Sequence, residues 1–208
     1  MPPMLNIDAA KPALLEMLQT KSVFRGDFTL SSGAKSNYYI DCKLTTLDPE
    51  GIWLVGQLMH DLIRREEAAL RVSINAVGGL TMGADPIALA VGMYSHWAKD
   101  AAPAQVFSVR KSPKAHGQTK LIEGNFKRGD VVVIIDDVVT RGESTIAAIN
   151  AVEREDGKVA FVAVLVDRQE GGRDKIEALG HRVVALFTKR DLLRDHAQSH
   201  QPPDFAVA

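Results

Sequence analysis

Val131-Val132-Val133-Ile134-Ile135 is an unbroken β-branched run that stops at two adjacent carboxylates, Asp136 and Asp137. A strand with no polar alternation offers no face to water. Both faces must then be covered, which is the condition of a parallel strand inside an α/β sheet. The remaining sequence fits that condition. Apolar patterning predicts strands over 73–77, 105–109, 131–135, 159–166 and 182–187, and helices over 86–99, 143–154 and 173–179. Asp48 and Pro49 open another helix to about Ala69, because proline at the first helical position lacks an N–H that would be unpaired anyway. Upstream, Asp8 is placed to cap a helix to about Thr20, and 28–30 and 38–41 read as short strands around Ser31-Ser32-Gly33. The expected fold class is α/β, a doubly wound and mostly parallel sheet. It forms a single domain over 1–208, with an N-terminal appendage over about 1–45 and a core over about 46–208.

Composition narrows the partners. With 25 Lys+Arg against 26 Asp+Glu and a net charge of -1, the chain lacks the basic excess of a nucleic-acid or membrane-surface binder, so neither partner is expected. Cys42 is the single cysteine, which leaves no intramolecular disulfide and no cysteine zinc set; a small buried side chain is the expectation for it. The longest apolar run, Val159 to Val166, falls far short of the roughly 20 residues of a membrane span. The first residues carry no cationic segment followed by an apolar one, and a cytoplasmic protein is expected.

Doubly wound sheets bind ligands at the C-terminal ends of their strands. After Ile135 the chain reads Asp136-Asp137-Val138-Val139-Thr140-Arg141-Gly142 and then enters a helix near Glu143. Backbone N–H groups of a glycine-containing turn at a helix N-terminus attract an anion, and Thr140, Ser144 and Thr145 add hydroxyl donors. Carboxylates beside a phosphate repel it unless they face hydroxyls or a cation. A sugar phosphate with Mg2+ satisfies that condition. No G-x-x-x-x-G-K-[ST] loop and no three-glycine fingerprint is present, which removes the main support for a nucleotide-triphosphatase or dinucleotide reading. A second signal is the basic segment 110–122, with Arg110, Lys111, Lys114, His116 and Lys120 and no acidic residue. It lies in a connection longer than ordinary loops and suits a leaving group that gains negative charge.

The segment from Val131 to Thr145 resembles the phosphoribosyl-diphosphate (PRPP) motif of the type I phosphoribosyltransferases. Arg110-Lys111-Ser112-Pro113-Lys114-Ala115-His116-Gly117 is similar to the catalytic loop of the orotate phosphoribosyltransferases. Phe28-Thr29-Leu30-Ser31-Ser32-Gly33 with Ser36-Asn37-Tyr38-Tyr39 resembles that family's F-T-L-K-S-G and S-x-Y-[FY] segments. Asp167-Arg168-Gln169-Glu170-Gly171 resembles its D-R-x-E-G segment, and the run from Gly78 to Pro86 resembles a variant of its pyrophosphate loop, with Thr81 as a donor.

The resemblance implies the type I phosphoribosyltransferase fold with a hood-like appendage, and transfer of phosphoribose from PRPP to orotate in pyrimidine biosynthesis. It implies Mg2+ as cofactor, held mainly through the substrate with Asp136 and Asp137 nearby, and a homodimer whose basic loop acts in trans. The catalytic residues it implies are Lys114, His116, Asp136 and Asp137. PRPP contacts fall on these four and on Arg110, Lys111, Val138, Val139, Thr140, Arg141, Gly142, Glu143 and Ser144. Orotate contacts fall on Tyr38, Tyr39, Thr140 and Arg168, with the paired tyrosines flanking the pyrimidine ring. Two positions depart from the pattern: Ser31 and Met82 stand where family members carry lysines. A PRPP-binding regulator without catalysis and a transferase for another base are the competing readings; the first leaves Lys114 and His116 without a purpose, the second Arg168.

Overall fold

The computed structural model describes residues 7–29, 35–112 and 120–194. In chain order these form α1 (Ile7–Met17), β1 (Val23–Thr29), β2 (Lys35–Ile40), α2 (Lys43–Thr46), α3 (Pro49–Leu70), β3 (Ala76–Leu80), α4 (Ala84–Trp97) and β4 (Gln105–Val109). They continue through β5 (Ile122–Gly124), β6 (Val131–Val139), α5 (Glu143–Arg154), β7 (Lys158–Asp167), α6 (Gly172–Ala178), β8 (Val183–Thr188) and α7 (Lys189–Leu193). A six-stranded sheet runs in the order β5-β4-β3-β6-β7-β8, parallel except for β5, which pairs antiparallel with β4. β1 and β2 form a separate antiparallel hairpin, with Val23 opposite Ile40 and Phe28 opposite Ser36.

The β-branched run is covered on both faces, and strand periodicity divides its residues between two layers. Val133 and Ile135 of β6, with Phe161 and Leu165 of β7, pack into a cluster with Leu14 of α1, Leu54 of α3 and Ile87 of α4. Val132 and Ile134, with Val162 and Val164, pack with Ile149 and Val152 of α5 and Ile176 of α6. α3 starts as the sequence predicts: the Asp48 side chain accepts 2.9 Å hydrogen bonds from the Glu50 and Gly51 amides, and Pro49 follows the cap. Among the described residues, no helix is long and apolar enough to cross a membrane.

Several sequence expectations shift, among them the short strands placed over 28–30 and 38–41, which are β1 at Val23–Thr29 and β2 at Lys35–Ile40. The strand placed over 73–77 is β3 at Ala76–Leu80, running through Gly78 and Gly79. Residues 73–75 are a connector instead, with the Ile74 amide donating to Glu67 Oε1. The glycines belong to the strand because the neighbours press so close: a Cβ at Gly78 would lie 2.2 Å from the Phe107 carbonyl oxygen, and one at Gly79 2.0 Å from that of Ile135. Asp8 does not cap α1 but sits in its first turn, and the helix ends at Met17 in a π-helical turn over Leu18–Ser22 rather than continuing to Thr20. Finally, β6 does not stop at Ile135. Asp136, Val138 and Val139 continue the ladder opposite Val164, Val166 and Asp167.

The strand order creates the site. β4 lies on one side of β3 and β6 on the other, and the β3–β6 ladder ends at Gly78 opposite Ile134. The connections after the two strands diverge there, opening a crevice where such sheets take ligands.

Candidate active site

Asp136 and Asp137 stand where β6 passes the end of β3. Asp136 is buried, its Oδ2 accepting a 2.6 Å bond from Thr145 Oγ1 and its Oδ1 a 3.0 Å bond from the Asp137 amide. Burial, then the adjacent Asp137 charge, push the Asp136 carboxyl up to about 7, against the pull of the Thr145 bond. Burial raises Asp137 as well, while the Lys43 ammonium pulls it down. Lys43 is itself paired with Asp41 at 2.7 Å, and Cys42 is fully buried, as expected, with its thiol pushed up by burial and then by Asp137. Two raised carboxyls at the mouth of a crevice are a site for hydroxyl groups or a cation.

The turn after β6 leads into the N-terminus of α5, a position that favours an anion. Gly142 precedes α5 at φ 84, a left-handed conformation that favours glycine, and no side chain caps the helix. The turn is braced from behind by the connection after β7, where the Gly172 amide donates 3.0 Å to the Thr140 carbonyl and the Arg168 amide 3.0 Å to that of Val139. Thr140 is half-buried, while Arg141, Glu143 and Ser144 are exposed. Some expected phosphate donors are engaged elsewhere. The Thr145 hydroxyl is spent on Asp136, the Val138 amide donates 2.9 Å to Asp137 Oδ1, and Val139 is buried in the ladder. The open part of the turn is Thr140–Ser144.

On the other side of the crevice, Thr81 and Gly83 lead into α4. A Cβ at Gly83 would meet Asp137 Oδ1 at 2.4 Å, so the loop lies directly against the acidic pair. The expected donor Thr81 is a brace: its hydroxyl donates 2.6 Å to Asp85 Oδ2, and Ser108 donates 2.7 Å to Asp85 Oδ1. Met82 is exposed. An open cleft of ≈ 330 Å³ beside this loop is lined by Thr81, Ser108, Arg110, Lys111, Ser112 and Glu123, and Arg110 Nη1 lies 3.7 Å from Glu123 Oε1. Lys114 and His116, like Ser31, lie outside the described residues.

Arg168 follows β7 and is buried, with Nη2 donating 3.2 Å to the Tyr38 hydroxyl and 3.1 Å from Glu170 Oε1. Its guanidinium carbon sits 5.1 Å from the centre of the Tyr38 ring. Tyr39 does not join it. Successive strand residues face opposite ways, and the Tyr39 ring packs 5.8 Å from Phe28 and 6.4 Å from Phe24. The structure thus brings Tyr38 to Arg168 and does not bring Tyr39 to the same side. Sequence reasoning missed Lys43, Asp85, Glu170 and Lys189. Glu170 lies within the quoted D-R-x-E-G segment, and Lys189 is the first residue after β8, so both were within reach of the strand-end rule.

No protein-family model matches the chain. An orotate phosphoribosyltransferase of Aquifex aeolicus is 40% identical over 193 residues, 91% of this chain and 100% of that protein. The chain belongs to the orotate phosphoribosyltransferase family. Its fold is the type I phosphoribosyltransferase fold. Among solved structures, Mycobacterium tuberculosis orotate phosphoribosyltransferase in complex with Fe(III) dicitrate matches this family member with a TM-score of 0.74 at 38% identity, over 88% of this chain and 99% of that one. The same enzyme in complex with PRPP gives a TM-score of 0.68 at 31% identity, over 88% and 92%.

Proposed function

We propose that this orotate phosphoribosyltransferase family member transfers 5-phosphoribose from PRPP to orotate, forming orotidine 5-monophosphate and pyrophosphate for pyrimidine biosynthesis. The observation that carries the reading is the juxtaposition of three complementary groups at one crevice: an acidic pair, an open anion turn and a buried arginine. The 5-phosphate goes to the turn at Thr140–Ser144, where the α5 dipole and backbone amides favour it. The ribose hydroxyls go to Asp136 and Asp137. Arg168 takes the orotate carboxylate, with Tyr38 against the ring, because a guanidinium fork matches a carboxylate. The orotate ring nitrogen bonds to the anomeric carbon as the bond from that carbon to the diphosphate oxygen breaks; the electron pair leaves with pyrophosphate, and the proton on the nitrogen is given up to a pyrophosphate oxygen or to solvent. Arg110 and Lys111, with Lys114 and His116 of the basic loop, offset the charge that develops there. Positioning and electrostatics suffice, and no covalent nucleophile is invoked.

Mg2+ belongs to the proposal. Among the described residues, no group of three or more His, Cys, Asp or Glu is arranged to hold a metal. The residues present would suit an ion carried mainly by the diphosphate, with Asp136 and Asp137 available as carboxylate partners, since Mg2+ commonly combines one or two carboxylates with substrate phosphates. When bound, it neutralises part of the donor's charge. A homodimer is proposed as well. Leu89 and Met93 on α4 are 62% and 61% exposed, and with Trp97 they fall on one helix face. A second copy of the chain would cover that face and bring its basic loop into the neighbouring site. The cytoplasm is the proposed compartment, supported by the single cysteine and the absence of a long apolar run.

The decisive experiment monitors orotate absorbance with PRPP and Mg2+, alongside uracil and adenine. Consumption of orotate alone is expected. Reaction of another base with orotate untouched would reassign the acceptor, and PRPP binding with no base consumed would favour a regulator.

A further inference from the structure

The buried arginine is only partly satisfied. Arg168 is 7% exposed, and its Nε has no hydrogen-bond partner. An unpaired guanidinium in such a place is strongly destabilising, so a ligand-free site needs a counter-charge. Glu170 supplies it. Its Oε1 lies 3.1 Å from Arg168 Nη2 and accepts a short hydrogen bond from the Tyr38 hydroxyl. The same oxygen is 3.9 Å from Lys189 Nζ, which stands 5.7 Å from the centre of the Tyr38 ring.

The geometry of the pair is one-sided. Glu170 engages Nη2 and leaves Nε unused, whereas a carboxylate binding an arginine side-on takes both. A ligand carboxylate that takes Nε and Nη2 together therefore meets Glu170 on the same nitrogen, and two carboxylates on one donor repel. Glu170 has somewhere to go. Its side chain is 31% exposed, against 9% for Arg168, and Lys189 is a second cation already within reach.

We propose that Glu170 is an exchangeable counter-ion: it holds Arg168 and Tyr38 in the empty site, is displaced by the carboxylate of the acidic base, and passes to Lys189. The inference rests on the reading that orotate is the acceptor. Glu170 is then a positioning residue that sets the affinity for carboxylate ligands from the opposing side. It weakens ground-state binding of orotate and helps expel the carboxylate of the product, because re-forming the internal pair offsets the loss of the ligand.

The test is calorimetric titration of the full chain with orotate and with orotidine 5-monophosphate, together with KM and kcat, for wild type, Glu170→Gln and Lys189→Met. Glu170→Gln is expected to bind orotate about three- to tenfold more tightly, the effect of removing one partly buried competing charge. It should also release product more slowly and gain more thermal stability from orotate than wild type does. Lys189→Met is expected to shift affinity the other way, because displaced Glu170 loses its second partner, and it gives an independent reading if Glu170→Gln fails to fold. A wild type that uses orotate, with Glu170→Gln binding it no better and Lys189→Met no worse, would overturn the exchange alone. A wild type that neither binds nor consumes orotate would overturn the acceptor assignment and the exchange with it.

Discussion

Thr145 Oγ1 donates a 2.6 Å hydrogen bond to Asp136 Oδ2, so α5, whose N-terminus forms the anion turn, is tied to β6 through the acidic pair itself. Neither group sits in the crevice independently of the other. The bond opposes the rise in the Asp136 pKa without cancelling it, and leaves a carboxyl that titrates near neutrality where the donor's hydroxyls and metal are proposed to arrive.

That carboxyl makes stability depend on pH with a definite sign. The Asp136 pKa is about 7 in the folded chain against an ordinary 3.8, so the unfolded state ionises first. Its favourable contribution is whole below about pH 4 and is lost as pH rises through about 7. Asp136→Asn should therefore abolish turnover yet be more stable than wild type at pH 8, by about 1–3 kcal/mol, with the advantage vanishing near pH 4. Calorimetric melting across that range decides it. A wild-type pH dependence that survives the substitution unchanged would sink the buried-carboxyl account.

Gly83 and Gly79 should separate activity from folding. Gly83 has helical φ and ψ, -61 and -41, so alanine is compatible with its backbone, but the added Cβ would press on the Asp137 carboxylate. Gly83→Ala is expected to lower kcat roughly 10- to 100-fold, as misplaced reacting groups do, with stability changed by about 1 kcal/mol or less. Gly79→Ala meets the backbone of Ile135 instead and should yield little folded protein. Steady-state kinetics and urea denaturation, run together, distinguish the two.

The proposed dimer makes a paired prediction. Leu89→Glu with Met93→Glu should give a monomer in sedimentation experiments and lower activity with it. If the basic loop acts in trans, mixing inactive Lys114→Ala and Asp136→Asn chains should restore roughly a quarter of wild-type activity, since half of randomly paired dimers then carry one intact site of two. No recovery after demonstrated subunit exchange would assign the loop to its own chain.

Lys114→Ala by itself is expected to reduce kcat by about 100-fold or more, the scale of losing one donor to developing charge. Orotate affinity should change far less, because the base is proposed to bind at Arg168 and Tyr38 rather than at Lys114. Wild-type turnover in that variant would exclude the loop mechanism.

The class of fold was legible because burial on both faces writes itself as an unbroken apolar run, and β4 and α5 match their predicted bounds of 105–109 and 143–154. The end of β6 was not legible. Asp136 and Asp137 read as loop, since carboxylates are rare in central strands, yet pairing with β7 carries the strand past Ile135 to Val139. The glycines of β3 misled in the same way, because the nearness of Phe107 and Ile135 is visible only once the strands are side by side.

Among the candidate site residues, local order in the chain sufficed to single out those that sit together along it: the acidic pair, the Gly142 turn and Arg168 all stand at the end of a buried strand. Contacts across the sequence were another matter. Tyr38 reaches Arg168 while Tyr39 turns away, Thr81 and Ser108 are held by Asp85, and Glu170 with Lys189 completes the surroundings of the arginine. Chain order was enough for the order and type of the main elements, though not for the bounds of β3 and β6, because propensity, periodicity and turn geometry are local. Packing in three dimensions settled which of those groups are free to meet a ligand and which are already spent on one another, because hydrogen-bond partners and desolvation are properties of the packed chain.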